Sequence, residues 1–265
     1  MRHKISGILL LFLPTLLFAN WPSSAQFKAV KVAEALGGAI YAQDHAVVSA
    51  SDVLSAALDA ERRAQVIGWI VRGDKKSQLV TFVDEREGKY FAVFQVDVTP
   101  RQTLQVVTID PPRALVSPDL EMFSARQTAL RAMPNACPSA YNTVVLPGSM
   151  AAFDGWLVYL LATSADANEV PVGGHLRARV SSDGGTLIAM EPLTKSCLTL
   201  SLTGDTGKPV AALAMTHVMS DVPTETHTFL NLLYGVDFYV ATDTNLWRIT
   251  KGAISYFGTI KKKGK

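Results

Sequence analysis

Tyr90-Phe91-Ala92-Val93-Phe94-Gln95-Val96-Asp97-Val98 is the stretch that decides the fold class. Tyr90, Ala92, Phe94, Val96 and Val98 recur at every second position, the period of a strand with one face buried. Working outward, residues 66–71, 78–83 and 104–109 are also rich in β-branched and aromatic side chains. The breaks between them, Gly73-Asp74-Lys75-Lys76 and residues 84–89, are short, polar and turn-prone. Neighbouring strands with short breaks predict an antiparallel meander.

Upstream, residues 27–63 read as helical. Phe27, Val30, Ala33, Leu36 and Ile40 are spaced by three or four. Gly37-Gly38 weakens the middle of that helix, and Ser51-Asp52 is suited to capping a second one. Downstream, Ser117-Pro118-Asp119 starts a helix over 118–132, with serine as cap and proline in the first turn. Beyond it the chain is strand-like again, at 143–146, 156–162, 175–181, 186–190, 197–202, 213–219, 225–230, 238–241 and 246–249. Asp183-Gly184-Gly185 marks a hairpin turn among them. Alternating strand–helix–strand units are missing from this pattern, which disfavours a doubly wound parallel sheet. The expectation is an α+β domain over 26–260, β-rich from about residue 141. Its sheet is largely antiparallel, with N-terminal helices and one internal helix packed on it.

Composition narrows the class of function. The 265 residues are 48% hydrophobic, enough for a sizeable core and too many for intrinsic disorder. A formal charge of +2 argues against holding nucleic acid by bulk charge. Residues 1–25 read as a signal peptide. Arg2, His3 and Lys4 precede an apolar run of about twelve residues, short of the roughly 20 that span a bilayer. Ser23 and Ala25 suit the small positions before a cut. Removal takes away Arg2 and Lys4 and no acid, leaving zero net charge. Four lysines in the tail 261–265 leave the rest at about −4; the tail has no aromatic to stack on bases and reads as a solvated end. No later segment reaches spanning length.

Export gives the two cysteines a meaning. In an oxidising compartment Cys137 and Cys197 are expected to pair. Closing a loop of about 60 residues is worth roughly 4 kcal/mol in the chain-entropy picture. Neither cysteine has an adjacent base that would make it a nucleophile.

Common catalytic motifs fail. There is no Gly-x-Ser-x-Gly elbow, and Gly204-Asp205-Thr206-Gly207-Lys208-Pro209 is a turn with the wrong spacing for a phosphate loop. One arrangement carries chemistry. If 213–219 and 225–230 form a hairpin centred near Val222, His217 faces His227, with Cβ atoms about 5 Å apart, and Glu225 shares their face. Two imidazoles and a carboxylate are a zinc-type ligand set that leaves a position for water, with His175 as a further candidate. The competing reading makes the same histidines packed or hydrogen-bonded members of a hairpin, since a one-residue slip would separate them. Trp156, Tyr159 and Trp247 read as core, and Arg177 and Arg179 as a strand face meeting solvent or an anion.

Asn142-Thr143-Val144-Val145-Leu146-Pro147, Gly173-Gly174-His175, Ser196-Cys197 and Pro223-Thr224-Glu225-Thr226-His227 with Phe229 together resemble a family of uncharacterised exported proteins of proteobacteria. The similarity covers about residues 141–257. It implies a periplasmic or secreted setting and carries no activity, cofactor or catalytic residue. The resulting expectation is an exported, non-enzymatic binding or protein-interaction protein, of an inhibitor or immunity type, without a cofactor. Its partner would be another exported protein or a cell-envelope component. The alternative is a metal-dependent hydrolase using zinc at His217, Glu225 and His227.

Overall fold

Ser23 opens the first helix. In the computed structural model, which describes residues 21–74, 76–134, 137 and 140–260, its hydroxyl accepts the Gln26 amide at 3.2 Å. The Gln26 side chain in return accepts the Ser23 N–H at 2.8 Å. Helix α1, Ser24–Ala57, runs unbroken through Gly37-Gly38 and past Ser51-Asp52, where a weak point and a second start were expected. Packing overrides propensity: one face is buried along the whole length, from Val30, Leu36 and Ile40 to Ala46, Ala50 and Leu54. The short second helix α2, Ala60–Ala64, is capped by Asp59 instead. Residues 1–20 of the expected signal peptide 1–25 and the lysine tail lie outside the described residues, and Ser23 to Ala25, the expected cut region, form the cap and start of α1.

The meander follows as read. Strands β1 (Gly68–Gly73), β2 (Gln78–Arg86), β3 (Lys89–Val98) and β4 (Val106–Ala114) pair antiparallel in that order. Helix α3, Asp119–Arg131, comes next; Pro118 rather than Ser117 occupies its cap position, with no side-chain cap. A second antiparallel sheet has the order β5 (Tyr141–Pro147), β6 (Trp156–Ala162), β8 (Leu176–Val180), β9 (Leu187–Pro192). The sequence reading missed β7, Glu169–Pro171, which pairs with β10, Thr199–Ser201. The third sheet is β11 (Ala212–Thr216), β12 (Asp237–Ala241), β13 (Asn245–Thr250) and β14 (Ala253–Thr259), the last also missed.

One expectation is overturned. Residues 225–230 are not a strand: they open helix α4, Glu225–Tyr234. The Thr224 N–H bonds the His227 ring at 3.0 Å, which caps the start, and Gly235, at φ 66°, ends the helix in the left-handed region. Phe229 and Leu230 are buried, the adjacent apolar pair of a helix face. Helix α4 therefore connects β11 to β12, and these two strands are parallel. Among the described residues this is one strand–helix–strand unit beside strand pairs that are otherwise antiparallel.

The second sheet is the middle layer. Val144, Leu146, Leu157, Tyr159 and Leu161 face the first half of α1, α4 and the third sheet. Val145, Val158, Leu160, Ala178 and Val180 face α3 and the first sheet. Burial on both faces explains why 156–162 is almost continuously apolar rather than alternating. The second half of α1 covers the other face of the first sheet, over Val80, Phe82 and Val96. Cys137 and Cys197 are joined, with Cα atoms 5.8 Å apart, which ties the chain after α3 to the segment before β10. Among the described residues no helix is long and apolar enough to cross a membrane.

Candidate functional site

The chemistry-bearing residues collect where α4 begins, against the second sheet and the end of β11. Across the sheet, Tyr159 of β6 stands directly opposite Arg177 of β8, and Arg177 directly opposite Glu191 of β9. Glu225, the first residue of α4, reaches this row. Its Oε1 accepts Arg177 Nη1 at 2.6 Å and the Tyr159 hydroxyl at 2.9 Å. Two other Arg177 nitrogens reach Glu191, Nε and Nη2 both at 2.9 Å. Burial alone would weaken the Arg177 charge, but the Glu225 carboxylate, the Tyr159 oxygen and Glu191 outweigh it and raise its pKa. Burial first, and then the Glu225 charge, push the Tyr159 hydroxyl well above its ordinary range, so it stays a donor.

His217 follows β11, and its backbone N–H bonds Ala241 at 2.7 Å. Its Nε2 lies 2.9 Å from the Ser220 hydroxyl, whose single hydrogen goes to the Val222 carbonyl at 2.7 Å. Ser220 must therefore accept from Nε2–H, which leaves Nδ1 of His217 as the bare nitrogen. His227, one turn into α4, is set the other way. Its Nδ1 accepts the Thr224 N–H, so Nε2 carries the proton. The two rings meet edge to face, with centroids 4.9 Å apart. Burial lowers the pKa of both, that of His227 to about 3, helped by the nearby His217 and His175. Two neutral imidazoles are the result.

His217 and His227 do come together, although through a helix and not through a hairpin. Glu225 is brought near but turned elsewhere, because residues two apart on a helix point to different sides. His175 is buried, with both nitrogens engaged: Nδ1 accepts Ala162 N–H at 3.1 Å, and Nε2 donates to the Pro171 carbonyl at 2.7 Å. Burial takes its pKa to about 4. Among the described residues no three His, Cys, Asp or Glu side chains are grouped to hold a metal ion. Sequence reasoning placed Arg177 on a strand face and Tyr159 in the core, and missed both as partners of Glu225. The usable signal was the strand register, which sets Tyr159, Arg177 and Glu191 in one row.

Beside the two histidines lies a cavity of about 100 Å³, lined among others by Met215, His217, Met219, His227 and Lys195. Its rim is open to solvent and mixed: Leu198, Val218 and Met219 are 46%, 59% and 41% exposed, beside exposed Lys195 and Ser196. No family model, curated protein or solved structure matches the chain.

Proposed function

We propose that this is an exported protein that acts by binding and not by catalysis, engaging another exported protein or a cell-envelope component in the manner of an inhibitor or immunity protein. The observation that carries the reading is the commitment of Glu225. A carboxylate held by Arg177 and Tyr159 is neither a water-activating base nor an open metal ligand. The disulfide supports an oxidising compartment, periplasmic or secreted, the setting that the family resemblance over 141–257 also implies. The exposed Leu198, Val218 and Met219 supply the kind of apolar surface that recognises a protein partner.

The test places a photo-crosslinking residue at Val218 in the producing cell, with Val107 of β4, equally exposed at 58%, as the control position. The expected result is one discrete adduct from Val218 and none from Val107, with both cysteines unreactive to a maleimide. Identical labelling at the two positions, or precursor in the cytoplasm with both thiols free, overturns the reading. A Glu225→Gln variant that keeps its stability while losing a metal-stimulated hydrolysis would restore the enzyme alternative.

A further inference from the structure

Met215-Thr216-His217-Val218-Met219 has the form Met-x-His-x-Met, and the binding reading uses only its exposed Val218 and Met219, leaving the donor atoms of Met215, His217 and Met219 without a role. Period two sets Met215 and His217 on one side of β11 and its continuation. Met219 follows in the bend, and all three line the same cavity of about 100 Å³, with the His227 ring as one wall.

The donors there are soft. A thioether is a poor ligand for zinc, magnesium or calcium and a good one for cuprous copper. The third donor, Nδ1 of His217, has its lone pair free because Ser220 holds the proton on Nε2. A hydroxyl accepting the far N–H is the arrangement that orients a ligating imidazole. His227 is excluded as a ligand in its present state, since Thr224 keeps its proton on Nε2. The carboxylate that a harder ion would need, Glu225, belongs to Arg177. The two cysteines are bonded to each other, so no thiolate competes. Lys195 also lines the cavity, but it is exposed, and its flexible ammonium can turn into solvent away from a singly charged ion.

We propose that Met215 Sδ, Met219 Sδ and His217 Nδ1 form a three-coordinate site for one cuprous ion, walled by the His227 ring. The site shares Met219 with the proposed partner surface, but the two readings fail separately: a Val218 crosslink can fail while copper binds, and the reverse.

The test titrates the full chain, disulfide intact and without a histidine tag, with Cu(I) under ascorbate without oxygen, against the chromogenic competitor bicinchoninate. One equivalent is expected to leave the competitor. X-ray absorption is expected to show two sulfur and one nitrogen neighbours, and Zn(II) is not retained under the same conditions. Met215→Leu with Met219→Leu conserves volume and keeps the fold. That double variant is expected to retain its thermal midpoint and to bind Cu(I) on the order of a hundredfold more weakly. No transfer of copper from the competitor, unchanged affinity in the leucine variant, or a copper environment without sulfur overturns the proposal.

Discussion

The two halves of α1 are buried by different means. Its second half lies over the first sheet, where Ala46, Ala50 and Leu54 meet Val80, Phe82 and Val96 in an apolar cluster, with buried Asp44, Gln78 and Thr81 as the polar groups nearby. Its first half lies near the start of α4, where apolar packing is interleaved with buried Tyr159, Glu225, Thr226, His227 and Asn231. Asn231 shows the style of this second region. Its amide donates to Val236 and Ile249, and its carbonyl accepts from Gly252, so one side chain ties α4 to three strands or their turns. Apolar burial is tolerant of sequence and insensitive to pH. Polar burial is specific and sensitive, because each group must keep its partner and its protonation state.

The largest expected effect that separates the regions is therefore acid sensitivity. His175 and His227 have pKa values of about 4 and 3, below the ordinary 6.5 of the unfolded chain. Below pH 6.5 the unfolded chain takes up protons that the native state refuses. Their contribution is present above pH 6.5 and is lost as pH falls toward those values. From pH 7 to 5 that is about 2 kcal/mol per histidine, about 4 kcal/mol together. Asp44, raised by burial, works in the opposite sense. Urea unfolding at pH 7, 6 and 5 checks it. In His227→Asn, whose amide oxygen can still accept the Thr224 N–H, the slope between pH 6 and 5 should flatten by about 1.2 kcal/mol per unit. An unchanged slope would break the contrast.

The next effect tests the ion pair. Arg177→Met leaves Glu225 buried with Tyr159 as its remaining partner, at a cost of about 3 kcal/mol. Adding Glu225→Gln removes the orphaned charge and should recover most of that loss. A double-mutant cycle by urea midpoint measures the coupling, and additivity would show that the pair contributes nothing.

The same contrast explains what was legible in the sequence. The first sheet was readable because its period-two pattern is local: Tyr90 to Val98 states its own buried face. The disulfide was readable because two cysteines allow one pairing. The start of α4 was not, because Thr226, Thr228 and Phe229 carry strand propensity while the evidence for a helix was spread over Thr224, His227 and Gly235. Nor was the fate of Glu225 legible, since Tyr159, Arg177 and Glu191 come from three strands up to 66 residues away and only the register unites them. The histidine pair was found despite the wrong local geometry, because a short connection between β11 and α4 brings the two rings together in either arrangement.

Leu54→Ala removes packing from the apolar half alone. Near the last turn of α1 the surroundings can relax, which puts the loss near the low end for a buried leucine, about 2 kcal/mol. Calorimetry should show a lower midpoint at every pH with the acid slope intact. A change in that slope would mean that the two halves are energetically one.

Gly37→Ala gives the smallest effect and the sharpest test of sign. Helix propensity alone favours alanine in a helix interior by about 1 kcal/mol. Here a Cβ would fall 2.5 Å from Thr228 Cβ and 2.6 Å from the Glu225 backbone oxygen. Neither atom is the free end of a flexible side chain, so α4 itself must move away from α1. Overpacking of this kind costs about 1–3 kcal/mol, which exceeds the propensity gain and leaves a net loss of about 1 kcal/mol. Because α4 carries Glu225 and His227, that displacement should also weaken the acid slope, which Leu54→Ala leaves untouched. A Gly37→Ala protein that is more stable than the parent would mean that the helices are not held at this distance, and that the polar network yields as readily as the apolar half.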